Sequence, residues 1–217
     1  MKELSPTITV IDDDDGVRNA LTLLFKSLGL RVVAYASAQD FLSHYVLDQP
    51  GCLVVDVRMP GMSGLELQQE LNLRGAMIPV IFITGHGDIS MAVEAIQQGA
   101  FDFLSKPFQD RDLIDRVQRA LEKDTADRSD IAKGELIRQR LESLTPRERE
   151  VLTLVTGGNA NKAMAADLGV SQRTVEIHRA RVMKKMRVKS LAQLVRMTLD
   201  ITATGKRASS GQRPRAS

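Results

Sequence analysis

Residues 52–56 read CLVVD, four apolar residues and then an aspartate. A run so short and so continuously apolar suits a strand covered on both faces, as strands of a parallel sheet are, and it leaves Asp56 at the carboxyl end. Three further strand-like stretches end in the same kind of residue. TITVI (7–11) precedes Asp12 and Asp13, PVIFI (79–83) precedes Thr84, and FDFLS (101–105) precedes Lys106. In an open parallel sheet, ligands bind outside the carboxyl ends of the strands, so these residues are expected to converge although they lie far apart in sequence.

Between the strand-like runs lie segments of helical period. The pattern predicts strands at about 7–11, 31–35, 52–55, 79–83 and 101–104, and helices at about 16–28, 37–47, 64–74, 90–98 and 110–122. Gly29, Gly51, Gly75 and Gly99 fall at or near the expected helix ends, where a left-handed cap suits glycine. The fold class is α/β, a (βα)5 doubly wound parallel sheet, followed by an all-α helix-turn-helix domain.

The chemistry of the convergent residues is specific. Three carboxylates close together repel, and a hard divalent cation with oxygen ligands, typically Mg2+, is the usual way to hold them ionised. Lys106 supplies a cation and Thr84 a hydroxyl donor, both suited to phosphoryl oxygens. The pocket thus suits an acidic nucleophile, a metal and an incoming phosphoryl group. Asp14 and Asp15 stand at the start of the first helix, where capping and the helix dipole account for them.

Charge divides the 217 residues in two. Residues 1–123 carry 11 Lys+Arg against 17 Asp+Glu, net −6, and residues 124–217 carry 19 against 10, net +9. The basic half points to a polyanion, nucleic acid foremost. The single cysteine, Cys52, lies inside the apolar run and reads as a small core residue. MKELSPTITV at the N-terminus has no apolar targeting core and no stretch has the length of a membrane span, so a cytoplasmic protein without membrane association is expected.

The expected boundaries are 1–123 for the acidic-site domain, 124–142 for a charged helical linker, 143–201 for a helix-turn-helix domain and 202–217 for a disordered basic tail. Thr145-Pro146-Arg147-Glu148 is a capping box with proline at the first helical position, and it opens the second domain. Ser171 caps the helix QRTVEIHRARVMKKM after a turn at Leu168, Gly169 and Val170. A 100° step puts Val175, His178, Val182 and Met186 on a packing stripe, and Arg173, Glu176, Ile177, Ala180 and Lys184 on a face that can enter a major groove. Glu176 suits cytosine N4, while Ile177 and Ala180 suit thymine methyls. Arg173, Arg179, Arg181, Lys184 and Lys185 suit phosphates, with Thr174 beside them at the helix start.

VIDDDDGVR, VVDVRMPGMSGLEL, IFITGHGD, GAFDFLSKPF, LTPREREVL and NKAMAADLGVSQRTVEIHRARVMKKM together resemble a two-component response regulator of the FixJ type, a receiver domain followed by a LuxR-type helix-turn-helix. The resemblance covers roughly residues 5–200. It implies that Asp56 takes a phosphoryl group from a sensor histidine kinase. It also implies that Asp13, Asp56 and the backbone carbonyl of Arg58 ligate Mg2+ directly and Asp12 through water, and that the Lys106–Pro107 peptide is cis. Thr84 and Phe103 resemble the family's switch, and Leu191, Leu194, Val195 and Leu199 its dimerisation helix.

On phosphorylation a homodimer binding double-stranded DNA and working with RNA polymerase, for activation rather than repression, is the implied outcome. The implied base preferences do not transfer at Glu176, where some relatives carry lysine. Arg58 and His86 flank the pocket mouth and read equally as tuning residues or as plain surface. Two rivals stand beside this reading. A Mg2+-dependent phosphohydrolase would place its nucleophile on the first strand in a DxDxT pattern, which the residues after Asp12 and Asp14 do not supply. A constitutive DNA-binding protein would use the first domain only to oligomerise.

Overall fold

The structure, a computed structural model, describes residues 5–85 and 89–199. Five strands and their helices alternate through the first half: β1 (Thr7–Ile11), α1 (Asp15–Ser27), β2 (Arg31–Tyr35), α2 (Ala38–His44), β3 (Gly51–Asp56), α3 (Gly64–Leu73), β4 (Val80–Thr84), α4 (Ile89–Gln97), β5 (Asp102–Ser105) and α5 (Asp110–Glu142). Then follow α6 (Pro146–Thr156), α7 (Asn161–Leu168), α8 (Gln172–Met186) and a further helix, α9, over residues 191–199. The chain divides into two compact units after Arg128.

In the first unit the strands are all parallel in the order β2-β1-β3-β4-β5, the doubly wound topology that the alternation of elements predicts. β1, β3 and β4 are buried along their whole length, whereas β2 and β5 at the edges are partly open. Two cores cover the sheet. Ile8, Val10, Val54, Ile81 and Ile83 pack with Leu21 and Phe25 of α1 and Leu113 and Val117 of α5. Ile11, Leu53, Val55 and Phe82 pack on the other face with Phe41 of α2, Leu67 and Leu71 of α3 and Ala95 of α4.

Local chemistry sets the element ends. Asp14 caps α1 by accepting from Gly16 and Val17 N–H, as its position predicts. Ser63 and Glu66 form a capping box on α3. Helix α2 stops at His44, short of the expected residue 47, because Tyr45 turns to extended backbone and Asp48 is left-handed at φ 67. The carbonyls of Asp48 and Gln49 accept instead from the Arg128 guanidinium, at 2.7 and 2.8 Å.

Gly51 is not a helix cap. It opens β3 at φ 148, where a Cβ would lie 1.9 Å from the Thr7 carbonyl oxygen, so only glycine lets the two strands meet there.

The acidic unit extends beyond residue 123. Asp124 is buried; it accepts from the Gly51 N–H at 2.9 Å and pairs with Arg128 at 2.8 Å, so this turn of α5 is part of the unit. At its far end α5 belongs to the second unit, whose core Ile137 and Leu141 join. The charged stretch between stays helical through pairs such as Lys123–Asp127, Lys133–Asp130 and Arg138–Glu135. Among the described residues no helix is long and apolar enough to cross a membrane.

The second unit packs Leu144, Val151, Leu152 and Val155 against Met164 and Ala165 of α7 and Val175, Val182 and Met186 of α8. Thr145 caps α6 through the expected capping box with Pro146 in the first turn. Gly169, left-handed at φ 63, ends α7, and Ser171 caps α8 by accepting from Thr174 N–H at 3.1 Å. The expected basic tail, 202–217, lies outside the described residues, as do residues 200–201 of the expected second domain.

Candidate functional site

Strand register assembles the first site. Ile11 is level with Val55, Asp56 with Ile83, and Thr84 with Ser105. One residue further along β1 comes Asp12, and one past β5 comes Lys106, so four strand ends deliver their side chains to one place. The Lys106 N–H also donates to the Thr84 carbonyl at 2.7 Å, which continues the ladder past β5.

Asp12 and Asp56 are 1% and 7% exposed, and the ammonium of Lys106 lies between them. Its Nζ is 2.8 Å from Asp12 Oδ2 and 3.0 Å from Asp56 Oδ1. The other oxygens take backbone donors: Asp12 Oδ1 accepts from Asp14 N–H at 2.9 Å and Asp56 Oδ2 from Arg58 N–H at 2.8 Å. Burial pushes the Asp56 carboxyl up from its ordinary value; Lys106 and the Arg58 N–H pull it back only in part, and the charge of Asp12 adds to the rise. Burial alone would lower Lys106, but its bonds to Asp12 and Asp56 and their charges outweigh that, and its pKa is raised. Thr84 is buried at the end of β4. The Lys106–Pro107 peptide is cis.

The expected trio of carboxylates is not gathered in this arrangement. Asp13 is exposed, and among the described residues no three acidic, His or Cys side chains stand close enough to cage an ion. Lys106 balances the buried pair instead, because a single ammonium reaches both. The donor chemistry nonetheless fits Mg2+: two buried carboxylates, from Asp12 and Asp56, meet at one cation, and Asp13, next in sequence to Asp12, is open to solvent.

Two residues of this site escaped sequence reasoning. Arg18 of α1 donates to the Asp12 carbonyl at 2.7 Å and pairs with Asp15, holding the loop after β1. Gly64 starts α3 directly under the pocket, where a Cβ would lie 2.4 Å from the Asp56 carbonyl oxygen. Only the close approach of the two backbones reveals it. Phe103 is half-buried on the α2–α3–α4 face and Phe101 packs on the other face; strict alternation would put both on one face, but Phe101 precedes β5. His86 lies outside the described residues. Cys52 is fully buried, and burial, with the charge of Asp124 added, pushes its thiol up to about 12, as befits an inert core residue.

Helix α8 forms the second site. Val175, Val182 and Met186 are buried, as the packing stripe predicts, and His178 sits at the core edge with Nδ1 buried. Arg173, Glu176, Ile177, Ala180, Arg181 and Lys184 are exposed, and Ile177 at 46% is a large apolar side chain open to solvent among charges. Thr174 is half-buried, its hydroxyl 2.8 Å from that of the capping Ser171.

Two expected phosphate contacts are placed otherwise. The Arg179 guanidinium donates to Asn161 Oδ1 of α7. Lys185 Nζ donates to the Ser143 carbonyl at 2.9 Å and to Glu148 Oε2 at 2.7 Å, because Glu148 is buried and needs a counter-charge. On α9, Leu194 at 1% exposure belongs to the unit's own core, Val195 is half-buried, and Leu191 and Leu199 are exposed. The expected apolar stripe is thus divided between core and surface.

Comparison with known proteins bears on both units. Residues 8–118 match the response regulator receiver domain and residues 142–198 the bacterial regulatory proteins of the luxR family. Nodulation protein W of Bradyrhizobium diazoefficiens is 50% identical over 198 residues, covering 90% of this chain and 87% of that protein. Transcriptional regulatory protein FixJ of Azorhizobium caulinodans is 51% identical over 193 residues, 88% of this chain and 91% of the relative. Among solved structures, response regulator StyR superimposes with a TM-score of 0.83 at 43% identity, covering 89% of this chain and 98% of that one. With the strand-end pocket in one unit and the helix-turn-helix in the other, the chain belongs to the FixJ-like two-component response regulators, transcription regulators that join a receiver domain to a LuxR-type DNA-binding domain.

Proposed function

We propose that the chain is a phosphorylation-controlled regulator in which Asp56 accepts a phosphoryl group from a phosphohistidine of a sensor histidine kinase. The observation that carries this reading is the placement of one ammonium, Lys106, between two buried carboxylates at a sheet's carboxyl edge. A carboxylate oxygen of Asp56 attacks phosphorus in line, the P–N bond breaks, and the imidazole leaves and takes up a proton. An acyl phosphate remains on Asp56. Lys106 then donates to phosphoryl oxygens, and its ammonium offsets the rise in negative charge.

Asp12, Asp13, Asp56 and the Arg58 carbonyl are the groups that would hold Mg2+. When bound, the ion supplies charge neutralisation on the oxygens in transfer.

Thr84 and Phe103 carry the result outward. Phe103 is level with Phe82 in the β4–β5 register, and Thr84 is two residues beyond Phe82, so both face the same side of the sheet. A phosphoryl oxygen draws the Thr84 hydroxyl toward Asp56, and Phe103 turns into the space beside it. The α4–β5 surface, where Val93 and Ile96 are exposed, then pairs with a second copy. Paired helix-turn-helix units bind a two-fold DNA site through α8, contact RNA polymerase and activate transcription. Arg173, Arg181 and Lys184 meet phosphates, Glu176 meets cytosine and Ile177 and Ala180 meet thymine methyls.

The test is sedimentation and DNA titration of the full chain before and after treatment with Mg2+ and a small phosphoryl donor. Tighter dimerisation and tighter DNA binding are expected for wild type and neither for Asp56→Asn. Equal responses from the two proteins would overturn the switch and favour a constitutive DNA-binding protein.

A further inference from the structure

Five cations on α8 are natural phosphate contacts on sequence grounds, yet the structure divides them. Arg173, Arg181 and Lys184 are exposed. Arg179 and Lys185 are half-buried and turned to partners within the unit. Lys185 bonds a buried carboxylate, Glu148, whose Oε2 also accepts from the Thr145 N–H at 2.9 Å, so the lysine joins the end of α8 to the capping box of α6. Its second bond, to the Ser143 carbonyl, ties the same point to the segment before α6. Arg140 adds a third tie by donating to the Met186 carbonyl at 3.1 Å. Near the middle of α8, Arg179 holds Asn161, the first residue of α7.

We propose that Lys185 and Arg179 are positioning residues for base reading: they fix where α8 stands against α6 and α7 and do not contact phosphate. Drawing Lys185 to DNA would leave Glu148 buried without its partner, an outcome that costs more than an exposed phosphate contact returns. Base edges demand placement to within about 0.5 Å. Phosphate attraction is long-ranged and tolerant by comparison. Loosening these ties therefore removes discrimination between sequences before it removes affinity for DNA.

The inference rests on α8 being the DNA-reading helix, and the experiment separates the two. The full-length chain is titrated against a duplex that the wild type selects from a random-sequence pool, and against a scrambled duplex of the same composition, over a range of salt. Arg181→Ala serves as the exposed-cation control. Lys185→Met alone strands Glu148, so Lys185→Met is made together with Glu148→Gln, which keeps a side chain able to complete the Thr145 box. Arg179→Met is the second variant, at a site remote from Glu148.

For both variants the expected result is a loss of roughly ten-fold or more on the selected duplex, with scrambled-duplex affinity and the salt slope unchanged. An equal loss on both duplexes with the slope of log K against log salt shallower by about 0.9 per cation, the behaviour expected of Arg181→Ala, overturns the inference. So does an unchanged ratio between the duplexes. If Arg181→Ala itself changes neither affinity nor slope, the assignment of α8 as the reading helix fails, and this inference with it.

Discussion

Lys106 Nζ stands 2.8 Å from Asp12 Oδ2 and 3.0 Å from Asp56 Oδ1, one ammonium shared by two carboxylates from different strands. Its folded pKa is raised above the ordinary value of 10.5, so the stability it contributes is complete below that pH and is lost as pH rises through the folded value. Lys106→Met is expected to lower stability at neutral pH by about 1–3 kcal/mol, the cost of leaving a buried charged group without its partner. The variant should also lack the wild type's final loss of stability at alkaline pH. Urea unfolding from neutral to alkaline pH measures both.

Asp56 answers to the opposite sign. A carboxyl whose pKa is raised by folding costs stability above its unfolded value, here 3.8, and the cost vanishes below it. Asp56→Asn is therefore expected to melt higher than wild type at neutral pH. Thermal scans at neutral pH and near pH 3 check it, with the difference shrinking in acid.

Gly64 has no room for a side chain. A Cβ there would lie 2.4 Å from the Asp56 carbonyl oxygen and 3.0 Å from the Phe82 ring, whereas a Cβ at Gly85 meets nothing within 4 Å among the described residues. Gly64→Ala is expected to destabilise by about 1–3 kcal/mol through overpacking and to slow phosphorylation by shifting Asp56. Gly85→Ala should unfold within about 0.5 kcal/mol of wild type. Denaturant midpoints of the two variants give the comparison.

Glu148 makes the second unit sensitive to acid. The bond from Lys185, the Thr145 N–H and the charge of Lys185 together hold its carboxyl below 4.5, against the opposing effect of burial. Its contribution is present above the unfolded pKa and is lost as pH falls through the lower folded value. Glu148→Gln lacks that contribution throughout, so as pH falls the methyl NMR signals of Val151 and Leu152 should collapse at a higher pH in the variant full chain than in the wild type, and the stability gap between the two should close in acid.

The receiver was legible because its signals are local and repeated. Continuous apolar runs mark β3 and β4, an apolar run interleaved with threonine marks β1, and a polar residue just past each run marks the site. What sequence could not reveal depends on contacts between distant segments. Asp124 looks like a linker residue until Gly51 N–H and Arg128 are seen to saturate its carboxylate. Lys185 and Arg179 look like solvent-facing cations, since helical period assigns a face but not the partners, buried Glu148 and half-buried Asn161, waiting beside it. Leu194 and Leu191 share an apolar stripe, yet only the packing of α9 decides that one is core and the other surface.

The central claim is that Asp56 is the phosphoacceptor, and one measurement reaches it directly. The full-length chain is incubated with Mg2+ and acetyl phosphate, reduced with borohydride to convert any aspartyl phosphate to homoserine, and mapped by peptide mass spectrometry. Homoserine at position 56, absent when Mg2+ is chelated and absent from Asp56→Asn, is the expected result. Homoserine at Asp12 or Asp13, or an unmodified Asp56 in protein that has turned over the donor many times, would contradict it and restore the phosphohydrolase reading.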